Sequence, residues 1–282
     1  IYGAAGIGKS YMAVTIALCV QTGIGHKGLL PEQGNVLYLD WESERSDLNE
    51  RTVAVKQGFL DEYTNEYLDN AEFEYRKVRG ALNKVQDEIS DLVHSNDIKL
   101  IVVDSVGGAL QGNINDADSI AEFAGILRSY NTSILALDHV AKGSNDKPIG
   151  SIYKEAFARN LWRMTGDHPV GSDEMEIAFE HTKTNHKRMN PVAFDAKFYS
   201  DTTYDITNKF VISNKLINDS TLLKRPIEDA LYEQILLNPG MNRNNLISTL
   251  ENYPQTEIDI TLETLLRTSK IMQDSHGGYG SK

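Results

Sequence analysis

Residues 3–10 read Gly3-Ala4-Ala5-Gly6-Ile7-Gly8-Lys9-Ser10 and match the pattern G-x-x-x-x-G-K-[ST] at every fixed position. The stretch lies between an apolar strand end at residues 1–2 and an apolar segment at residues 10–22 that is predicted to be a helix. Glycines let backbone N–H groups turn inward around a polyphosphate, and the helix N-terminus adds partial positive charge. The sequence therefore predicts a phosphate-binding loop that extends to Tyr11.

Two side chains of this loop have predicted roles in binding ATP and Mg²⁺. Lys9 is expected to reach the outer phosphates, and Ser10 offers its hydroxyl to the metal ion. At average composition, a chance match to the pattern in a chain of this length is on the order of one in a hundred. We therefore interpret the stretch as a nucleotide site rather than as a flexible surface loop.

Short apolar runs alternate with helical patterns along the next two hundred residues. Residues 35–40, 99–104 and 133–138 are continuous and apolar, as expected of parallel strands buried on both faces. Residues 43–97 are predicted to form helices that cover the sheet. The later segments predicted as edge strands are 160–165, 174–180 and 192–198. This order predicts an α/β fold with a twisted, mostly parallel sheet that ends near residue 215.

The composition is that of a globular chain with an acidic surface. Lys and Arg number 28 against 40 Asp and Glu, a formal charge of −12, so a polyanion partner must meet a local patch. No apolar run approaches the roughly 18 residues of a membrane-spanning helix. The single cysteine, Cys19, fits a reducing compartment, and we expect a cytoplasmic protein without membrane contact. Because the motif starts at the third residue and no initiator Met precedes it, we also expect a fragment of a longer protein.

Asp104 closes the predicted strand at residues 99–104, at the edge of the sheet where the phosphate loop should lie. An apolar strand that ends in an acid beside such a loop is the Walker B arrangement, in which the acid holds the metal ion through water. The next residue, Ser105, could donate to the same site, although capping of the local backbone is the expected role. Asp104 and Ser10 are therefore the predicted Mg²⁺ ligands.

A hydrolase also needs a carboxylate that activates the attacking water, and the residue after Asp104 is a serine. Asp40 and Glu42 follow the neighbouring predicted strand and supply two candidates. At this point the pattern resembles that of RecA-type ATPases, whose catalytic glutamate lies just past this strand. The resemblance implies that Glu42 is the general base, with Asp40 as the alternative.

His139 follows the predicted strand at residues 133–138, so its ring could form a hydrogen bond with the γ-phosphate. In RecA-like and replicative helicase families a Gln or His occupies this place. The resemblance therefore implies that His139 senses the γ-phosphate.

Three cations resemble residues that helicases of this kind contribute to the ATP site of an adjacent subunit. A predicted helix that begins at Gly150-Ser151 leads to Arg159, a layout similar to that of plasmid-encoded RepA-type hexameric helicases. Residues 181–191 are similar to the Lys-x-Arg stretch of DnaB-like helicases, although four residues separate Lys183 from Arg188. Which cation reaches the neighbour stays open, and a basic hairpin that touches solvent or DNA is the competing interpretation.

A second, smaller unit is predicted at residues 225–282, after a linker at residues 216–224. Helical patterns at 226–237, 242–250 and 260–269 precede a glycine-rich tip, which indicates a winged-helix-like module that is incomplete at its C-terminus. Five Lys or Arg stand against eight acids in this unit. DNA binding and protein docking both stay open for it.

Taken with these resemblances, the sequence predicts a Mg²⁺-dependent ATPase that assembles as a ring. We expect the ring to be a hexamer with ATP at the subunit boundaries. Such a ring would unwind DNA, bind single-stranded DNA and meet other replication proteins of a plasmid, phage or mobile element. The alternative is a nucleotide-switched factor that loads or regulates replication or recombination proteins without unwinding DNA. Both hypotheses use the same phosphate loop, so the sequence alone does not separate them.

Overall fold

The computed structural model describes residues 1–63, 68, 70–110, 116–140, 148, 152–201, 206–223, 226–250 and 253–281. The chain divides into two compact units, Ile1–Leu222 and Leu223–Lys282. Within the described ranges, none of the helices is long and apolar enough to cross a lipid bilayer.

A single sheet runs through the first unit. Its described strands are β1 (Tyr2–Gly3), β2 (Asn35–Asp40), β3 (Glu74–Lys77), β4 (Ile98–Asp104), β5 (Ser133–His139), β6 (Asn160–Asp167), β7 (Glu174–Thr184), β8 (Val192–Asp201) and β9 (Ile206–Lys215). Their order across the sheet is β3-β2-β4-β5-β1-β6-β7-β8-β9. The strands from β3 to β6 in this order pair in parallel, and β7, β8 and β9 extend the sheet with antiparallel pairs.

Helices cover both faces of the parallel strands. The described helices of this unit are α1 (Lys9–Thr22), α2 (Arg45–Leu60), α3 (Gln86–Ser95), α4 (Val106–Ala109), α5 (Ala117–Ser129) and α6 (Ile152–Phe157). Along β2, Val36 and Tyr38 belong to a core cluster with residues of α1 and α2, whereas Leu37 and Leu39 belong to a cluster with residues of α3 and α5. This alternation follows from the two-residue period of a strand. The predicted α/β fold with a mostly parallel sheet is confirmed.

Two strands of this sheet were not expected from the sequence. The prediction of helices throughout residues 43–97 is wrong for β3, which pairs in parallel with β2 at the sheet edge. Its four residues, Glu-Tyr-Arg-Lys, are polar and only alternate ones are half-buried, so the segment lacks the apolar run of a buried strand. Strand β9 alternates polar residues with the buried Phe210 and Ile212 and pairs with β8 beyond the last predicted strand.

The second unit consists of three helices and a small antiparallel sheet in its described residues. Its elements are α7 (Ile227–Leu237), β10 (Met241–Asn242), α8 (Arg243–Thr249), α9 (Gln255–Arg267), β11 (Ile271–Gln273) and β12 (Gly278–Ser281). The strands lie in the order β10-β12-β11, and apolar residues of all three helices form one core. Helix α9 begins five residues before the expected position because Ile258 in its first turns is buried in that core. The assignment of this unit to the winged-helix class stays a prediction.

Candidate active site

The carboxyl ends of β2, β4 and β5 and the loop after β1 lie at the same edge of the sheet. The parallel register places Asp40 opposite Asp104 and places Gly3 opposite His139. Asp104 is in turn opposite Leu137, two residues before His139. Four segments that are far apart in sequence therefore converge at the edge where ligands bind in open α/β sheets.

The phosphate loop joins β1 to α1 in a conformation that its glycines allow. Gly6 and Gly8 have φ angles of 77° and 83°, in the left-handed region that side chains disfavour. The first hydrogen bond of α1 runs from the Met12 N–H to the Gly8 carbonyl at 3.0 Å. The amides of the preceding residues at the helix start therefore have no acceptor within the helix and can bind an anion.

The other predicted loop residues divide into exposed and buried ones. Ala4, Ala5 and Gly6 are exposed, whereas Ile7 is buried against the sheet. The ring of Tyr11 packs in the core, with its centroid 4.8 Å from that of Phe210. The side chain of Tyr11 is thus a core contact, and its backbone amide is the group that it presents at the start of α1.

Lys9 lies at the centre of the site. Its ammonium donates to the carbonyl oxygens of Gly3 at 3.1 Å and Ala4 at 2.5 Å, and lies 3.5 Å from His139 Nδ1. Burial lowers the pKa of Lys9, and the opposing charges of Glu42 and Asp104 only partly offset that effect. A buried ammonium that faces a glycine-rich loop is suited to stabilising the charge of outer phosphates.

Ser10 and Asp104, the predicted metal ligands, are brought together by a hydrogen bond between their side chains. Asp104 is buried, and its Oδ2 accepts a further hydrogen bond from the Tyr38 hydroxyl at 2.8 Å. Burial raises the pKa of Asp104, opposed by the hydrogen bonds from Tyr38 and Ser10. A hydroxyl and a carboxylate are hard oxygen ligands of the kind that Mg²⁺ takes together with substrate phosphates.

No group of three or more His, Cys, Asp or Glu side chains in the described ranges could hold a metal ion by itself. Mg²⁺ at phosphate sites is typically bound by one or two protein oxygens, with phosphates and waters as the other ligands. The pair Ser10 and Asp104 therefore fits a metal ion that arrives with its nucleotide.

Asp40 fixes the backbone that carries Glu42. Its carboxylate is fully buried, and its Oδ1 accepts hydrogen bonds from the N–H groups of Glu42 and Ser43, both at 2.8 Å. The Ser43 hydroxyl donates to Oδ2 at 2.9 Å. Asp40, the alternative base, thus has both oxygens occupied by the loop that presents Glu42.

The side chain of Glu42 faces the phosphate loop from the end of β2. Its Oε1 accepts a hydrogen bond from the Ser105 hydroxyl and lies 3.2 Å from His139 Nε2. Burial raises the pKa of Glu42, but the hydrogen bonds from Ser105 and His139 and the charge of Lys9 lower it below the ordinary value. The side chain is 47% exposed, so Glu42 is a charged carboxylate that water can reach.

His139 links Glu42 to Lys9. The ring nitrogen beside the carboxylate, Nε2, must carry a proton to donate, which leaves Nδ1 of the neutral ring as an acceptor for the Lys9 ammonium. The His139 N–H donates to the Asp138 carboxylate at 2.9 Å, and that carboxylate also pairs with Lys154 at 2.8 Å. A continuous hydrogen-bonded path thus joins the predicted base, the predicted sensor and the phosphate-binding lysine.

Two of the predicted trans cations are exposed. Arg159 lies between α6 and β6, and its guanidinium pairs with no other side chain in the described part of the chain. Its carbonyl accepts the Asn185 N–H at 3.1 Å, which places Arg159 beside the tip between β7 and β8. Arg188 in that tip is exposed and donates through Nε to the His181 carbonyl at 2.6 Å. Gly150 and Ser151 lie outside the described residues.

Lys183 has a different environment from the two arginines. Its ammonium donates to the carbonyl oxygens of Glu155, Ala156 and Ala158, the last at 2.7 Å. These carbonyls lie at the C-terminal end of helix α6, where the last C=O groups accept no hydrogen bond from within the helix. Lys183 is therefore committed to its own chain and caps the helix that precedes Arg159.

Tyr38 contributes to the site without having been predicted to do so, and Ser105 has the donor role that was the alternative to capping. Tyr38 is fully buried, and a buried Tyr hydroxyl needs a hydrogen-bond partner. A tyrosine within the apolar run at residues 35–40 was therefore a signal from which this role could have been found. The expectation that Ser105 caps the local backbone is wrong, because its side chain makes no capping bond at the start of α4 and donates to Glu42 instead.

Comparisons with known proteins give the family and the fold of the chain. A family model described as "AAA domain" matches residues 1–145, just over half of the chain. A crystal structure of a KaiC-like protein from the hyperthermophilic archaeon Pyrococcus horikoshii OT3 matches with a TM-score of 0.50 at 14% identity, over 75% of this chain and 87% of that one. A search of curated protein sequences gives no match. The chain therefore belongs to the AAA domain family and has the fold of a RecA-like P-loop ATPase.

Proposed function

We propose that this protein hydrolyses ATP with Mg²⁺ and uses Glu42 as the general base. The observation that supports the proposal is the hydrogen-bonded path from Lys9 through His139 to Glu42, with steps of 3.5 and 3.2 Å. A group that binds the γ-phosphate oxygens and a group that activates the attacking water must both lie within reach of that phosphate, and this path holds both at one rim of the loop.

In the proposed reaction, a water oxygen attacks the γ-phosphorus and the bond from that phosphorus to the bridging oxygen breaks, giving ADP and phosphate. Glu42 takes the proton from the attacking water, and Lys9 and the amides of the loop stabilise the phosphate charge. Ser10 and Asp104 would hold Mg²⁺, whose charge neutralises the phosphate oxygens. His139 connects the base to Lys9, so a change at the γ-phosphate alters the hydrogen bonding of Glu42.

We further propose that the ATP site is completed by a neighbouring copy of the chain in a ring, with Arg159 as the first candidate for the trans cation. Arg159 is exposed and has no side-chain partner among the described residues, whereas the Lys183 ammonium is bound to three carbonyls of its own chain. Arg188 is the second candidate, because it is also exposed and lies in the tip whose Asn185 N–H donates to the Arg159 carbonyl. A cation supplied in trans typically contributes about 10³ to 10⁵ in rate where it has been compared.

The proposed work of the ring is DNA unwinding in the replication of a plasmid, phage or mobile element, with single-stranded DNA and replication proteins as partners. This step rests on the resemblance of the motif order to RepA-type and DnaB-like helicases. Strand displacement that depends on ATP, together with ATPase stimulation by single-stranded DNA in a protein of known oligomeric state, would support it. Slow hydrolysis that DNA does not stimulate at any assembly size would favour the nucleotide-switched loading factor.

The base is tested by Glu42→Gln, which keeps the shape of the side chain and removes its proton acceptor. We expect ATP turnover to fall by about 10² to 10⁴ while nucleotide affinity is retained. The matched control is Glu44→Gln, two residues along the same loop, whose side chain is 68% exposed. Normal hydrolysis by Glu42→Gln would show that another group activates the water.

A further inference from the structure

Ser105 makes a contact that its position in the chain does not explain. It precedes helix α4, where a serine commonly caps the helix with its hydroxyl, but it makes no such bond. The residue is only 1% exposed. Its single O–H is instead directed at Glu42 Oε1, across the gap between the ends of β4 and β2.

The two donors around Glu42 act on the same oxygen. Ser105 and His139 both bond to Oε1, and in the described part of the chain no group donates to Oε2. A carboxylate whose one oxygen is held by two donors keeps a single orientation of its plane. Its other oxygen then remains available as a proton acceptor.

We propose that Ser105 is a positioning residue, whose hydroxyl holds the carboxylate of Glu42 so that Oε2 faces the attacking water. The inference rests on the proposed role of Glu42 as the base. Asp40 fixes the backbone of Glu42, and Ser105 fixes the far end of its side chain, so the base is held at both ends. His139 alone would leave the carboxylate free to rotate about its one hydrogen bond.

This arrangement also links the position of Asp104, the predicted Mg²⁺ ligand, to the position of Glu42, the proposed base. Ser105 is the residue after Asp104, so one short segment at the end of β4 carries both the carboxylate for Mg²⁺ and the anchor of the base. A shift of this segment therefore moves both groups together. The geometry makes the position of the base depend on the strand that binds the metal ion.

The first test compares steady-state ATP hydrolysis by the full chain and by Ser105→Ala. We expect kcat to fall roughly 10- to 100-fold, the factor that a hydrogen bond to a charged group commonly supplies. KM and the dissociation constant of a fluorescent ATP analogue should stay within about twofold, because among the described residues no hydrogen bond joins the Ser105 side chain to the phosphate loop. Ser105→Thr keeps the donor and should restore most of the lost rate.

The matched control is Ser220→Ala, which also removes a serine hydroxyl from a glutamate, here Glu176 on β7. Met175 and Ile177 on either side of Glu176 belong to the core cluster of α1, so Glu176 points to the other face of the sheet from that helix. We expect this variant to keep the ATPase rate of the unaltered chain. Melting temperatures of all variants separate loss of rate from loss of folding.

The deciding experiment adds Ser105→Ala to Glu42→Gln. If Ser105 acts through Glu42, the double variant hydrolyses ATP as slowly as Glu42→Gln alone. An inactive Glu42→Gln protein combined with an unchanged kcat in Ser105→Ala overturns the role of Ser105 and leaves the base in place. A rise in KM without a fall in kcat also overturns it. Normal activity of Glu42→Gln overturns the proposed function itself.

Discussion

Glu176 allows a quantitative prediction of how much the contacts of the last residues of the first unit contribute to the stability of that unit. Its carboxylate, 8% exposed, lies on β7 and pairs with Lys215 at 3.1 Å. It also accepts hydrogen bonds from the Ser220 hydroxyl, from the Thr221 hydroxyl at 2.8 Å and from the Leu222 N–H at 3.2 Å. One carboxylate thus fixes the last three residues of the first unit, and we predict that Glu176→Gln destabilises that unit.

The magnitude follows from the pKa of Glu176. Burial raises it, but the hydrogen bonds from Ser220 and Thr221 and the ion pair with Lys215 outweigh burial and lower it from 4.5 to about 2. Because each unit of pKa difference corresponds to about 1.4 kcal/mol, the upper limit is roughly 3 kcal/mol, and solvent screening reduces our expectation to about 2 kcal/mol. For a unit of this size, that loss lowers the melting temperature by roughly 4 to 8 °C at pH 7.

The sign of the pH dependence is fixed by the lowered pKa of Glu176. The folded state holds the charged carboxylate, so its stabilisation is complete above the ordinary pKa of 4.5 and is lost as the pH falls towards about 2. The difference in melting temperature between the unaltered chain and Glu176→Gln should therefore shrink to less than half of its pH 7 value by about pH 3. Calorimetric melting at several pH values measures it.

The control for this prediction is Glu174→Gln, two residues earlier on the same strand. The Glu174 side chain is 68% exposed and bonds to Lys197 at 2.7 Å. Exposed pairs of this kind contribute little, so its melting temperature should stay within about 2 °C of the unaltered chain. Equal effects of the two substitutions, or a Glu176→Gln effect that does not change with pH, would refute the reasoning.

Two further predictions concern residues that support the site. The Tyr38 hydroxyl donates to Asp104 at 2.8 Å, and this hydrogen bond lowers the pKa of the Asp104 carboxyl. Because Tyr38→Phe removes the hydrogen bond, about five- to tenfold more Mg²⁺ should be needed for half-maximal ATP hydrolysis. Titration with Mg²⁺ at constant ATP measures this shift, and an unchanged midpoint would contradict it. Lys183→Met removes the cap of helix α6, so amide hydrogen exchange in that helix should accelerate about tenfold. Lys187→Met, in the exposed tip, is the control for exchange and should leave α6 unchanged.

The sequence was sufficient to predict the central strands and the residues at their ends. Strands β2 and β4 are buried on both faces, and β5 is half-buried or buried from its second residue onward, so their apolar runs are visible without knowledge of the neighbours. The phosphate loop is likewise a local pattern, because its glycine conformations and helix start depend on adjacent residues. From these local signals alone, the edge of the sheet that carries the site could be inferred.

Strand β3 and the contact of Ser105 with Glu42 could not be predicted in this way. The residues of β3 form a strand because β2 offers an open edge, and nothing in Glu-Tyr-Arg-Lys itself requires it. Ser105 lies 63 positions from Glu42, and its local environment favours a helix cap. In both cases a contact between segments distant in sequence overrides a local preference. Such contacts cannot be deduced from the local pattern of a single sequence.

The pairing of β2 with β4 explains why the site tolerates no slip between these strands. Tyr38 on β2 lies opposite Val102 and reaches along the same face to Asp104, which ends β4. Ser105, the next residue after β4, reaches back to Glu42 beyond β2. A residue of β2 therefore binds the carboxylate at the end of β4, and a residue just after β4 binds the carboxylate just after β2. A shift of one residue in their register would turn Tyr38 to the opposite face and break both contacts at once. The register that buries the centre of the sheet thus also aligns Asp104, the predicted Mg²⁺ ligand, with Glu42, the proposed base. The geometry of the site therefore depends on the same strand pairing that stabilises the core.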